Sequence, residues 1–198
     1  MDDLLNSRAD KALLSGLNIT FDIPQDEGMP GPIVGDLKWD TMSLEGVRGD
    51  WMEAVIEAGD DPEALGSLNL MSMFNSPIEQ GFDEAELKGI SLNASGVSFS
   101  LPKATTKVTR NKEGVATGVK SPAYKMTLAA DPEGGALGQM LAGGLGQLGY
   151  EQISMSSASE VSYDPETNLT RYKDSYIDIE DGLKLSFKGG LTNLLQVM

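Results

Sequence analysis

Along most of this chain apolar residues recur at every second position, and that period constrains the fold more than any other feature. Ile90/Leu92, Val97/Phe99/Leu101, Met126/Leu128, Ile153/Met155, Val161/Tyr163, Ile177/Ile179 and Leu183/Leu185/Phe187 all alternate with polar neighbours. Such alternation places apolar side chains on one face of a strand and polar ones on the other. The links "RNKEG", "DPETN" and "EDG" are short and polar, and Asp181-Gly182 carries the signature of a two-residue type I′ hairpin turn. These runs predict antiparallel meanders. The apolar phase changes between Leu92 and Val97, which predicts a bulge or bend near Gly96. "LNITFDIP" and "LKWDTMSLEG", nearer the start, read as further strands.

Self-similarity suggests how the runs are grouped. "TKVTRNKEG" (Thr106–Gly114) matches "TNLTRYKDS" (Thr167–Ser175), with Thr, Thr, Arg and Lys at the same spacing. "ISLNASGVSF" answers "ISMSSASEVSY" upstream, and "YKMTL" answers "LKLSF" downstream. "DPEALG" at Asp61 and "DPEGGALG" at Asp131 both resemble helix entries, with Asp as N-cap, Pro at the first helical position and Glu in the first turn. A further helix is expected in "GDWMEAVIEAG", and "GGLTNLLQVM" predicts one over Leu191–Met198 or the start of another unit. The fold class expected is α+β: two tandem helix-plus-antiparallel-meander units, forming a twisted antiparallel sheet with helices packed on one face. Residues 1–46 would be N-terminal helix and strands, resembling the tail of a preceding unit. Residues 47–131 would form the first unit and 132–198 the second with a C-terminal helix, as one compact domain or two closely packed ones.

"GGALGQMLAGGLGQLGY" (Gly134–Tyr150) has seven glycines and no charge. It lacks the Lys and Ser/Thr of a phosphate loop, and it is too short and glycine-rich to span a membrane. Leu137, Met140, Leu141, Leu145 and Leu148 form a helical stripe instead. Each interior glycine weakens such a helix by about 1 kcal/mol relative to alanine, so packing must hold it. Small residues on its back would let it approach a strand, a second helix or a lipid chain closely. Together with Trp39 and Trp51 the stripe is the candidate apolar groove, although such residues are more often core.

The 198 residues, 40% of them apolar, suffice to bury a core. The chain has no cysteine and no histidine. Disulfides, thiolate chemistry, imidazole relays and the usual zinc sites are thereby excluded, so most familiar enzyme mechanisms are disfavoured. A formal charge of −15 repels phosphate backbones and anionic lipid surfaces, so nucleic acid is not an expected partner. Clustered acids raise the question of a cation. Asp178, Glu180 and Asp181 are the weak metal candidates, yet no stretch matches a calcium-binding loop and a solvated face is the better reading. No cofactor and no catalytic residue can be assigned. The serines of "SMSSASEVS" read as the exposed face of a sheet rather than as nucleophiles.

The texture of helix plus meander over Asp61–Gly190, with "LGY" leading into a long alternating strand, resembles uncharacterised proteins of the bacterial cell envelope. That resemblance implies a periplasmic or envelope location whose leader is absent from this sequence, the alternative being the cytoplasm. The expected function is a non-enzymatic binding or structural module holding a lipid-like, peptide or protein partner in a sheet-helix groove. Further repeat units in the full-length chain and no transmembrane segment in this one complete the expectation. A cation-dependent domain or enzyme using clustered carboxylates, and a cytosolic protein-interaction domain, are the alternatives.

Overall fold

In a computed structural model, which describes residues 8–48 and 81–192, the chain forms one antiparallel sheet. Its strands are β1 (Arg8–Ile23), β2 (Ile33–Arg48), β3 (Glu84–Ala94), β4 (Val97–Arg110), β5 (Ala116–Ala130), β6 (Gln152–Asp164), β7 (Leu169–Ile179) and β8 (Lys184–Thr192). They lie side by side in chain order. One helix, α1 (Ala136–Gln147), interrupts the meander between β5 and β6. The expected α+β class with helices covering a face is therefore wrong: among the described residues the fold is almost entirely β. Strands predicted as separate short runs are halves of longer ones, up to 16 residues, which leaves less chain for helices. Leu191 belongs to β8 rather than to a C-terminal helix, because it continues the alternation of Leu185 and Phe187. The predicted helices of 49–59 and from Asp61, and residues 193–198 of the C-terminal one, lie outside the described residues.

The matched segments occupy different elements. Thr106–Arg110 ends β4 and runs into a hairpin, whereas Thr167 and Asn168 precede β7, which begins at Leu169. "ISLNASGVSF" bends through a tight turn at Ser95-Gly96, both with positive φ, while its counterpart lies within the continuous β6. The phase change near Gly96 is thus a hairpin turn, not a bulge. The three polar links do connect paired strands, at 111–115, 165–168 and 180–183. At the last, only Asp181 has positive φ, so the turn is not the two-residue type that Asp-Gly suggested.

The sheet has one apolar face, and β6 shows why. Its alternation runs unbroken from Ile153 through Met155, Ser157, Ser159 and Val161 to Tyr163. Directly paired residues share a face, so everything opposite these positions faces the same way. On β5, Leu128 and Met126 pair with Ile153 and Met155, whereas Val119 pairs with Val161 and Ser121 with Ser159. The parity changes between Tyr124 and Ser121, where an extra residue shifts the register. On β7 a similar shift lies between Tyr172 and Ser175, around Asp174 with φ 36°. In β1 to β4 the apolar parity changes along the row of Gly16, Asp40, Gly89 and Pro102, which the ladders step over, and in β2 again at Gly46, between the buried Leu44 and Val47. Gly16 and Gly89 have φ 69° and 62° there, a conformation in which a side chain is costly. In an uninterrupted strand each parity change would carry the apolar set to the other face. The left-handed Gly16 and Gly89 and the inserted residues of β5 and β7 cancel it in their strands.

The result is a set of cross-strand ladders. Ile19, Leu37, Leu92, Phe99, Leu128 and Ile153 form one apolar row across β1 to β6, through successive pairings. On the opposite face Lys11, Glu45, Glu84, Lys107, Lys120, Glu160 and Lys173 form a charged row. Its ion pairs include Lys107–Glu84 and Lys120–Glu160, both 2.8 Å. Such exposed pairs add little stability, but they fix which face is wet. Between β4 and β5 the ladder opens beside Pro102 and Pro122, which lack an N–H to donate. A buried Thr106 Oγ1 to Ser121 Oγ hydrogen bond of 2.9 Å ties the strands there.

The best-packed region lies at one end of β1 to β4. Leu44, Val47, Phe82 and Ala85 are buried, with Ala12, Met42 and Val108 against them. Arg110 closes this end: its Nε lies 3.0 Å from Asp83 Oδ1, and its Nη atoms donate to the carbonyls of Phe82 and Gly114 at 3.1 Å.

The glycine-rich helix sits at the opposite end, against the β3–β4 turn. Asp131 does not cap it. The Asp131 carboxylate accepts the Glu133 N–H in a turn that closes at Gly134, and α1 begins only after Gly135, whose φ of 137° ends that turn. Gly138 is buried where a Cβ would collide with the Asp131 carbonyl and Gly96, and its N–H donates to the Ser95 carbonyl at 3.0 Å. Gly143, Gly144 and Gly146 border open space. One glycine of the helix therefore permits close approach; the other three do not.

Candidate functional site

The residues expected to form an apolar groove are not brought together. Leu145 is buried, Leu137 and Leu141 are half-buried, and Met140 and Leu148 are exposed. Trp39 is half-buried on β2, in the row of Leu17 and Ile90, and donates its indole N–H to the Thr41 carbonyl at 3.2 Å. The strands that α1 mainly packs against are β5 and β4. Trp51 lies outside the described residues.

The acidic candidates are paired off individually. Asp178 Oδ2 holds Lys184 Nζ at 2.9 Å, and Glu180 Oε2 holds Lys125 Nζ at 2.7 Å. The hydrogen bond from Lys125 lowers the pKa of Glu180 below the usual carboxylate range, and the bond to Asp178 raises that of Lys184 above its ordinary value. Asp181 contributes its backbone carbonyl to the Tyr150 hydroxyl at 3.1 Å. Among the described residues no three acids converge as metal ligands.

A different groove stands on the apolar face, across β6, β7 and β8. It encloses about 710 Å³ and follows the extra residue of β7. Tyr172, Ile177, Phe187 and Leu191 supply its apolar surface, and Ser157, Ser159 and Ser175 line it between them. Ile177, Phe187 and Leu191 remain 37%, 47% and 52% exposed, so these walls have apolar area left to bury. Two of the serines are committed to backbone. The Ser157 hydroxyl donates to the Tyr176 carbonyl at 3.1 Å, and Ser175 Oγ lies 2.9 Å from the Lys173 carbonyl and accepts the Glu160 N–H. These bonds satisfy backbone groups that the register shift frees from the ladder. What the groove offers a ligand is mainly apolar contact, in the size range of small-molecule sites.

Sequence reasoning missed this groove because its walls come from three strands whose register depends on the β7 insertion. The alternation of Leu185, Phe187 and Leu191 beside Ile177 was the available signal. No known protein family matches the sequence, and no curated protein or solved structure is significantly similar to it. No helix among the described residues is long and apolar enough to cross a membrane.

Proposed function

We propose that this chain is a non-enzymatic binding module of the bacterial cell envelope that holds an apolar, lipid-like chain against its sheet. The observation that carries the reading is the groove of about 710 Å³ on the single apolar face, with exposed Ile177, Phe187 and Leu191. Apolar surface transferred from water stabilises a complex by about 25 cal/mol per Å², with no need for a specific polar anchor. The charged rows of the opposite face keep that side hydrated. The envelope location rests on the resemblance of the sequence to envelope proteins and supplies the compartment in which such ligands occur.

Titration with a fluorescent fatty-acid analogue, with native mass spectrometry of the purified protein, tests the reading. Saturable binding is expected, weakened about tenfold by Phe187→Asp, equivalent to about 1.4 kcal/mol. Absence of binding, or equal binding by the variant, overturns it.

A further inference from the structure

We propose that the free edge of β8 pairs with the free edge of β1 from a second copy, continuing the sheet head to tail. Among the described residues β1 and β8 pair on one side only, which leaves a row of backbone donors and acceptors on each. The usual protections of an edge are sparse. β8 contains no proline, and β1 from Leu17 to Ile23 has neither proline nor positive φ. Apolar side chains stay exposed at both edges: Ile19 and Ile23 at 44% each, Leu185 at 46% and Phe187 at 47%.

Strand number makes the two edges compatible. Every neighbouring pair in the sheet is antiparallel and the described residues supply eight strands, so β8 and a following β1 also run in opposite directions. Continuity of the apolar face then permits only every second register. Placing Leu185 opposite Leu14 would set Lys188 opposite Lys11, and like charges in direct opposition are unfavourable. Placing Phe187 opposite Ile19 instead sets Leu185 opposite Phe21 and Lys184 opposite Asp22. Gly190 then meets Gly16, where β1 leaves regular geometry, so the regular stretch of each edge lies on that of the other. This contact joins two different surfaces and leaves a free β1 and a free β8 at the ends, so it propagates rather than stopping at a dimer. The charge of −15 on each copy opposes it until salt screens the repulsion. The inference concerns the strand edges and stands apart from the proposed ligand.

The absence of cysteine makes the register directly testable. Ser186→Cys and Thr20→Cys, combined in one chain, face each other across the proposed contact. Mild oxidation is expected to give a covalent ladder of dimers, trimers and larger species. Ser186→Cys with Asn18→Cys should lose that ladder, because a two-residue offset moves the partner about 7 Å along the strand, beyond disulfide reach. By sedimentation the unmodified protein should gain mass with concentration, more so in about 1 M salt, where the screening length is about 3 Å. Lys184→Glu should reduce this growth and Lys184→Glu with Asp22→Lys restore it, with melting followed in parallel. A chain that stays monomeric at high concentration in both salts, or that cross-links equally in both pairings, overturns the proposal.

Discussion

The two ends of the apolar face use the same alternating pattern to opposite effect. Near Phe82 the ladders of β1 to β4 are sealed, and Val47 and Phe82 are fully buried. At β7 and β8 chemically equivalent residues, Ile177, Phe187 and Leu191, stand more than a third exposed around an open groove. Alternation is thus enough to make a face, but whether that face becomes core or binding surface depends on what closes over it. At the sealed end Arg110 and residues 81–83 provide closure; at the open end the sheet stops at a strand edge.

Truncation at each end is the strongest way to test that contrast. Phe82→Ala should cost about 3–5 kcal/mol, whereas Phe187→Ala should stay within about 0.5 kcal/mol. For a chain of this size each kcal/mol moves the melting temperature by about 2–4 °C, so thermal unfolding separates the two readily. Equal losses would erase the distinction. Arg110→Gln comes next, at about 2–3 kcal/mol by chemical denaturation, because it removes the charged hydrogen bonds to Asp83 and to the Phe82 carbonyl at the sealed end.

The glycines sharpen the comparison at the level of backbone. A side chain at Gly89 would collide with the Asp40 carboxylate, whereas at Gly16, on the same row, it would meet nothing. Both substitutions to alanine carry the left-handed penalty of about 1–2 kcal/mol, and Gly89→Ala should cost the more. In α1, Gly138→Ala should destabilise. Gly143→Ala and Gly144→Ala should each stabilise by about 0.5–1 kcal/mol, because they face open space and raise helix propensity. Equilibrium denaturation of the variants would check both orders.

The smallest expected effect is electrostatic and lies on the wet face. Hydrogen bonds from Lys103 and then Lys88 hold the Glu86 carboxyl at about 2, below its ordinary 4.5. A depressed carboxyl contributes stability that is fully present above the unfolded value and lost as pH falls through the folded one. Stability should therefore decline between about pH 4.5 and 2, and Glu86→Gln should flatten that part of the profile. A profile unchanged by the substitution would show that these lysines contribute nothing through Glu86. Melting with calcium and with chelator should give equal midpoints, since Asp178 and Glu180 already hold lysines.

Much of the sheet was legible because strand alternation is local: a face needs only the sequence of one segment. The hairpin links at 111–115, 165–168 and 180–183 were legible for the same reason, since turn residues act over a few bonds. The helix entry was misread because Asp131-Pro132-Glu133 satisfies the local rule for a cap, while Gly134 and Gly135 let the chain complete a turn first. The repeat misled for a related reason, because similar turns and strands recur in any meander without being equivalent.

By itself the sequence determined that this protein builds antiparallel strands with one apolar and one polar side, and that histidine and cysteine chemistry is closed to it. Only the tertiary structure decided that eight strands share one sheet, that the parity changes at Gly16, Gly89 and Asp174 cancel, and that the groove lies at β6 to β8 rather than on the glycine-rich helix. The physical reason is register. Which residue meets which across strands depends on single-residue insertions, and their effect is set by the neighbouring strand rather than by the segment that contains them.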